Sequence, residues 1–271
     1  MKKSCIVFFA TFILASDLAS CAQLTPEMAA ERSKWEDFLK TGKIIKSEKV
    51  GEGVTKPKKL LLKKGDLEAY AIWKRPSGLG AEYNDKWECE IAAYGMDKLL
   101  GVNMVPPTVE RRYKLSSGSL QLWVPIPMNE KRRTQENIPI PVDKLEHYEK
   151  MRSLQRVFDS LIANSDRTLQ NLRYTEHWQM ILIDHSRAFR DSRPYTDILI
   201  YGKNGLVPQD FGKLPRPFME KVRALNFEII RKAVESYLTN LEIKAILIRK
   251  EFFLKEIDEL IKEKDEEAVL Y

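Results

Sequence analysis

The chain has 271 residues, 44% hydrophobic and 31% charged, with a formal net charge of +6. That balance supports a packed core and excludes a disordered or low-complexity chain. The positive charge lies in short runs such as "KPKKLLLKK" and "EKRRTQ"; with no basic helix and no aromatic-basic strand set, a nucleic-acid partner has no support.

Lys2 and Lys3 open the chain. The apolar run "CIVFFATFILA" follows, too short for an ordinary bilayer-spanning helix. "LASC", Leu18–Cys21, ends it. This pattern predicts a secretory signal over 1–21 whose end resembles the bacterial lipobox, with cleavage before Cys21. The expected mature protein is extracytoplasmic and held on a membrane through a lipidated Cys21, on the outer membrane or facing the periplasm if the source is Gram-negative. A plain signal cut near Ala22 and a start codon placed too early are the competing readings. Only Cys89 then remains in the body, so no disulfide framework is expected, and Cys89 is read as a small buried residue. No HExxH or paired Cys/His spacing occurs, so no zinc site is expected.

Residues 22–46 read as a polar, partly helical lead-in, with Thr25 as N-cap, Pro26 at the first helical position and Gly42 as stop. The N-lobe is placed at 47–124. "KKLLLK" and "LEAYAIWK" are strands joined by the turn "KGD". "DKWECEIAAYGMDKLLG" is a helix with Ile91, Ala92, Gly95, Met96 and Leu99 on one stripe. "VNMVPPTVERRY" and "GSLQLWVPIP" are further strands. Pro125, Pro127, Pro139 and Pro141 mark a connector at 125–143. A C-lobe follows at 144–271: a helix near 144–163, a polar loop, the hairpin "LRYTEHWQMILID", then mostly helix. Thr239 and Glu242 stand at capping-box spacing. The pattern is α+β in two lobes, β-rich first and helical second.

The loop "LIANSDRTLQN" carries the chemistry. Phosphoryl transfer needs a cover for the phosphates, a Lys on them, a Glu holding that Lys, an Asn and an Asp for Mg²⁺, and an Asp for the acceptor. Asp166 and Asn171 have the D-x₄-N spacing of a phosphotransfer loop. Asp184 ends the apolar strand "MILID", one hairpin beyond the Asn. Lys74 ends the strand "YAIWK". Glu90 opens the following helix, with Glu88 as its rival for Lys74. Gly51 and Gly53 in "VGEGVTKP" are the candidate phosphate cover, and Trp123 and Val124 the candidate adenine-side hinge. A literal "DFG", Asp210–Gly212, lies too far past Asn171, behind Pro208, and is read as a chance match.

"AIWKRP", "ECEIAAYGMDKLLGVNMVPPT", "GSLQLWV", "FDSLIANSDRTLQNLRY" and "LIDHSRAF" together resemble the atypical protein and lipid kinase superfamily. That group contains the phosphatidylinositol 3- and 4-kinases, the type II phosphatidylinositol 4-kinases, the secretory-pathway kinases of the Golgi casein kinase type, and bacterial members, which the chain resembles most. The resemblance implies a two-lobed protein-kinase-like fold and ATP and Mg²⁺ as cofactors. It implies that Lys74 contacts the phosphates, Glu90 supports it, Asp166 is the catalytic Asp, Asn171 and Asp184 bind the metal, and Arg167 bridges the loop to its surroundings. Thr168 stands where many relatives carry His, and His185-Ser186 follows the metal Asp. Arg187, Arg190 and Arg193 are spread out, so the acceptor, a hydroxyl of a protein or small molecule, is not specified. The alternative is a membrane-anchored extracytoplasmic pseudokinase acting as a binding module.

Overall fold

A computed structural model describes residues 26–50, 57–75, 85–126 and 128–271, with side chains of the first helix from Glu31 onward. The signal-like segment with Cys21, and Gly51 and Gly53, lie outside the described residues.

Helix α1, Pro26–Thr41, starts at the expected proline. It ends at Gly42, whose N–H returns to the Phe38 carbonyl at 2.7 Å in an approach too close for a side chain. The helix is not a loose lead-in. Trp35, Phe38 and Leu39 are buried against a five-stranded antiparallel sheet. Each such side chain contributes about 1.5–3 kcal/mol on burial. The sheet comprises β1 (Lys43–Lys49), β2 (Lys58–Lys64), β3 (Leu67–Lys74), β4 (Thr108–Tyr113) and β5 (Ser116–Leu122), in the order β1-β2-β3-β5-β4. The lobe therefore begins before residue 47, because the lead-in supplies both a strand and a covering helix. Strand alternation divides the faces. Leu60, Leu62, Ala71, Val109, Leu120 and Leu122 pack with α1, and Ala69 and Trp73 lean on the same cluster. Tyr70, Ile72 and Lys74 take the other face of β3, with Lys59 opposite Ile72. Lys43, Lys46 and Lys49 stud the edge strand β1, which discourages pairing with another chain.

Helix α2, Trp87–Leu100, crosses between the lobes. It stops at Gly101, left-handed at φ 71°, whose N–H reaches the Asp97 carbonyl at 2.8 Å. The proline-marked connector carries more regular structure than its sequence predicted: β6 (Met128–Asn129), α3 (Glu130–Gln135) and a 3₁₀ turn, Val142–Lys144. Asn129 caps α3 by accepting from the Arg132 N–H at 2.9 Å.

Helix α4, Leu145–Leu161, leads into the polar loop. β7 (Leu172–Tyr174) and β8 (Met180–Leu182) join β6 in a three-stranded sheet ordered β6-β7-β8. A short parallel pair follows, β9 (Tyr201–Gly202) and β10 (Val207–Pro208). Then come α5 (Arg216–Ala224), α6 (Phe227–Val234), α7 (Asn240–Lys264) and α8 (Glu266–Val269). The capping box opens α7 as expected: the Glu242 N–H reaches Thr239 Oγ1 at 3.2 Å, and the Thr239 N–H reaches Glu242 Oε2 at 2.7 Å. The larger core joins α2 to α4, the β7–β8 hairpin and α5–α7. Inside it the buried Arg249 donates to the carbonyls of Leu161 (2.9 Å), Arg190 (2.8 Å) and Tyr195 (3.2 Å), fastening the segment after β8 to the end of α4. Among the described residues no helix is long and apolar enough to cross a membrane. The α+β architecture of a β-rich lobe with one central helix and a mainly helical second lobe is the expected one.

Candidate active site between the lobes

Three elements far apart in sequence meet at one ammonium group. Lys74 Nζ, at the end of β3, donates to Glu90 Oε1 on α2 at 2.6 Å and to Asp184 Oδ1 beyond β8 at 2.9 Å. Glu90, and not Glu88, is the partner; it lies on the buried face of the helix. Burial alone would lower the Lys74 pKa, but the two carboxylates overcome it and hold the ammonium above its ordinary range. Burial likewise favours a protonated Glu90, and Lys74 and His185 outweigh it, keeping that carboxyl well below the usual range. The site therefore presents a permanently charged cation with one face on Glu90 and the other on an exchangeable Asp.

His185 connects this trio to the loop. Its ring is fully buried, and Nε2 lies 2.9 Å from an Arg167 guanidinium nitrogen. Guanidinium only donates, so Nε2 accepts and the proton resides on Nδ1. Nδ1 faces Glu90 Oε2 at 3.7 Å, while the His185 backbone N–H donates to the same oxygen at 3.1 Å. Burial lowers the His185 pKa, consistent with a neutral ring. Arg167 itself forms a buried fork on Asp159, Nε to Oδ2 and Nη2 to Oδ1, both at 2.9 Å. Its Nη1 donates to the carbonyls of Ile183 (2.7 Å) and Asn171 (3.2 Å). Asn164 and Gln155 also donate to Asp159, at 3.1 and 2.5 Å. One buried arginine thus ties the start of β7 to the end of β8, which sets Asn171 beside Asp184.

Asp184 has φ 64°, in the left-handed region. Asp tolerates that region better than most residues, and isolated strain of this kind collects at functional positions. Asn171 Nδ2 donates to the Asp166 carbonyl at 3.4 Å, and its Oδ1 is the acceptor end of the amide. Asp166 Oδ2 pairs with Arg187 Nη1 at 3.2 Å, and Arg187 Nε is held by Asp85 at 2.9 Å. Burial raises the Asp166 pKa; Asp184 and Asp85 add to the rise and Arg187 opposes it.

Helix α2 holds its place through both lobes. Toward the C-lobe, Lys86 pairs with Glu242 at 2.7 Å, the Lys86 N–H donates to the Ser186 carbonyl at 2.8 Å, and the Cys89 thiol contacts the Ala188 carbonyl at 3.5 Å. At Gly95 any Cβ would strike the Ala233 carbonyl of α6. Toward α1, Arg32 pairs with the fully buried Asp97 at 2.7 Å, and Glu36 accepts from Tyr94 and Lys98, each at 2.7 Å. Asp97 also accepts from the backbone of Met104 (2.8 Å) and Val105 (3.0 Å), and the Met104 carbonyl accepts from the Leu182 N–H at 2.9 Å. The first helix is thereby linked to β8, the strand that leads to Asp184.

Trp123 and Val124 lie on the link between lobes, and the Trp123 N–H is taken by the Tyr70 carbonyl at 2.9 Å. The "DFG" stretch sits elsewhere. Asp210 pairs with Lys264 at 3.5 Å, and Phe211 is buried 5.0 Å from the Phe253 ring. Gly212, at φ 77°, packs on Ser153. Cys89 is buried, and burial pushes its thiol far up, which disfavours the thiolate.

No family model and no curated protein matches the chain. Among the solved structures that do is the Helicobacter pylori proinflammatory kinase CtkA, at 10% identity over 80% of this chain and 93% of that one, with a TM-score of 0.47. The likeness concerns the course of the chain.

Proposed function

We propose that the protein is a phosphotransferase that uses ATP and Mg²⁺ to phosphorylate a hydroxyl of a protein or small molecule. The observation that carries this reading is Lys74 held between Glu90 and Asp184, beside a loop that offers Asp166 and Asn171. The γ-phosphorus–oxygen bond to ADP breaks, a new bond forms to the acceptor oxygen, and the acceptor's proton passes to the Asp166 carboxylate. Lys74 meets the charge on the phosphate oxygens, and Glu90 keeps it aimed. The free oxygen of Asp184 and Oδ1 of Asn171 are hard oxygen donors and fit Mg²⁺. When bound, the metal neutralises phosphate charge. Gly51 and Gly53 belong to the reading as the phosphate cover on sequence grounds alone.

Calorimetric titration of ATP into the protein tests this. Binding that requires Mg²⁺ is expected; its absence at millimolar nucleotide would sink the reading and favour a binding module that keeps the shape without turnover. The pH profile adds a second expectation. Asp166 works ionised, and its pKa is raised by burial and by Asp184 and Asp85. The acid limb of kcat/KM, which reports the free enzyme, should lie above the ordinary aspartate range, and Arg187→Gln should move it higher still, since the guanidinium holds the pKa down. A limb that moves lower in the variant contradicts the role given to Asp166.

A further inference from the structure

Helix α4 carries a cluster of charge that the candidate active site does not use. Arg152 and Arg156 lie four residues apart, neighbours on one side of the helix. Both are partly exposed, yet Arg152 Nη1 and Arg156 Nε are buried with no hydrogen-bond partner. Arg156 gives its Nη1 to the Asp210 carbonyl at 2.9 Å. Burial lowers the Arg156 pKa and the Arg152 charge lowers it further, with the exposed Glu149 opposing. Gln155, between the two, is fully buried; its Nε2 donates to Asp159 at 2.5 Å and its Oε1 has no partner. Tyr148, Tyr174 and Tyr201 stand around Arg152: burial raises the pKa of each hydroxyl, and the Arg152 charge opposes each rise.

The nearby buried carboxylates are already taken. Glu130 is forked by Arg133 at 2.7 and 2.8 Å, and Asp159 is forked by Arg167. The Asp210 carboxylate turns to Lys264 at 3.5 Å. Among the described residues neither Arg152 nor Arg156 forms an ion pair. Two half-desolvated cations of like charge on adjacent turns cost stability unless something answers them.

The orphaned atoms define what would answer them. Two are donors on cations and one is a neutral acceptor. Hydrogen phosphate complements that set. Its charged oxygens accept from guanidinium nitrogens, and its P–OH donates to an amide oxygen. Sulfate has similar shape and charge but no proton to give. A phosphate monoester has lost its proton at neutral pH, because its second pKa is about 6. We infer that Arg152, Gln155 and Arg156 form a binding site for inorganic phosphate on α4, separate from Lys74. Through Gln155 the site touches Asp159, the anchor of Arg167. The inference goes beyond the phosphotransferase reading and stands without it.

The test is thermal unfolding of the full chain at neutral pH in chloride, phosphate, sulfate or O-phosphoserine at equal ionic strength, with calorimetry of phosphate binding. Phosphate should raise the melting temperature saturably. Sulfate shares phosphate's general salting-out effect and should raise it less. O-phosphoserine should also raise it less. Arg152→Gln and Arg156→Gln should each weaken phosphate binding roughly tenfold or more, the size of one charged hydrogen bond. In chloride Arg152→Gln should melt no lower than wild type, since it loses an unpaired charge. A shift that is equal in sulfate overturns the inference, because the proton on phosphate then has no role. A shift as large with O-phosphoserine overturns free phosphate as the ligand. A phosphate shift that survives in both variants places the ion elsewhere and overturns the site. The absence of any saturable shift overturns it too, as does an Arg152→Gln chain that melts well below wild type in chloride, because the fold itself then satisfies Arg152.

Discussion

Asp184→Asn should abolish Mg²⁺-dependent nucleotide binding and slow phosphoryl transfer by roughly 10³-fold, the scale of losing one charge-stabilising group in such a site. The substitution removes the carboxylate charge and keeps the shape. Asn also tolerates the left-handed backbone that Asp184 adopts at φ 64°. Lys74 keeps its 2.6 Å bond to Glu90, so the ammonium stays in place. Asp184 is 39% exposed, so its own contribution to stability is small and the melting temperature should hardly move. The variant therefore separates metal binding from folding. Single-turnover transfer and Mg²⁺-dependent calorimetry on the same preparation check it. A variant that melts normally and still transfers phosphate at the wild-type rate ends the assignment of Asp184 as the metal ligand.

The second large effect is on stability. Asp159→Ala strands a fully buried guanidinium that now makes two 2.9 Å bonds to the carboxylate. Breaking a buried pair from one side costs about 3–5 kcal/mol. Asn164 and Gln155 lose an acceptor as well, which adds to the cost. Urea unfolding should show the loss as a lowered midpoint. Removing both partners, Asp159→Leu with Arg167→Met, should recover much of that loss, because no charge is left stranded. Activity should not return with stability, since Arg167 also holds the carbonyls of Asn171 and Ile183 together. A single variant that unfolds within about 1 kcal/mol of wild type would show that water satisfies Arg167 without the carboxylate.

The parts of the site that follow the chain's local logic were legible in the sequence. Lys74 at a strand end, Glu90 on the first turn of a helix, D-x₄-N in a loop and Asp184 one hairpin later all follow from spacing, and the structure brings Lys74, Glu90 and Asp184 into contact. What spacing does not carry is the choice of partner. Glu88 and Glu90 are equal in sequence, and only the way α2 is packed separates them. Asp159 reads as one polar residue of an amphipathic helix, and nothing local says that it anchors Arg167. His185 showed only as a departure from a familiar pattern, and its bridge between Glu90 and Arg167 depends on a fold already formed. Residues 22–46 looked polar because Trp35, Phe38 and Leu39 are diluted by charges, yet those three residues cover the sheet. The short elements inside the proline-rich connector were missed because strands of two residues and helices of six leave no periodicity to detect.

The double grip on α2 has a consequence for ligand entry. Lys86 and Gly95 fasten the helix to one lobe, and Asp97, Tyr94 and Lys98 fasten it to the helix that covers the sheet of the other. A helix clamped at both sides acts as a spacer of fixed width. On the phosphotransferase reading, Glu90 then waits in position before the nucleotide arrives, and the ordering of the Lys74 contact is completed during folding. Association need not recruit a swinging element, so little conformational entropy is lost at that step, and arrival should be limited by diffusion and desolvation of the phosphates.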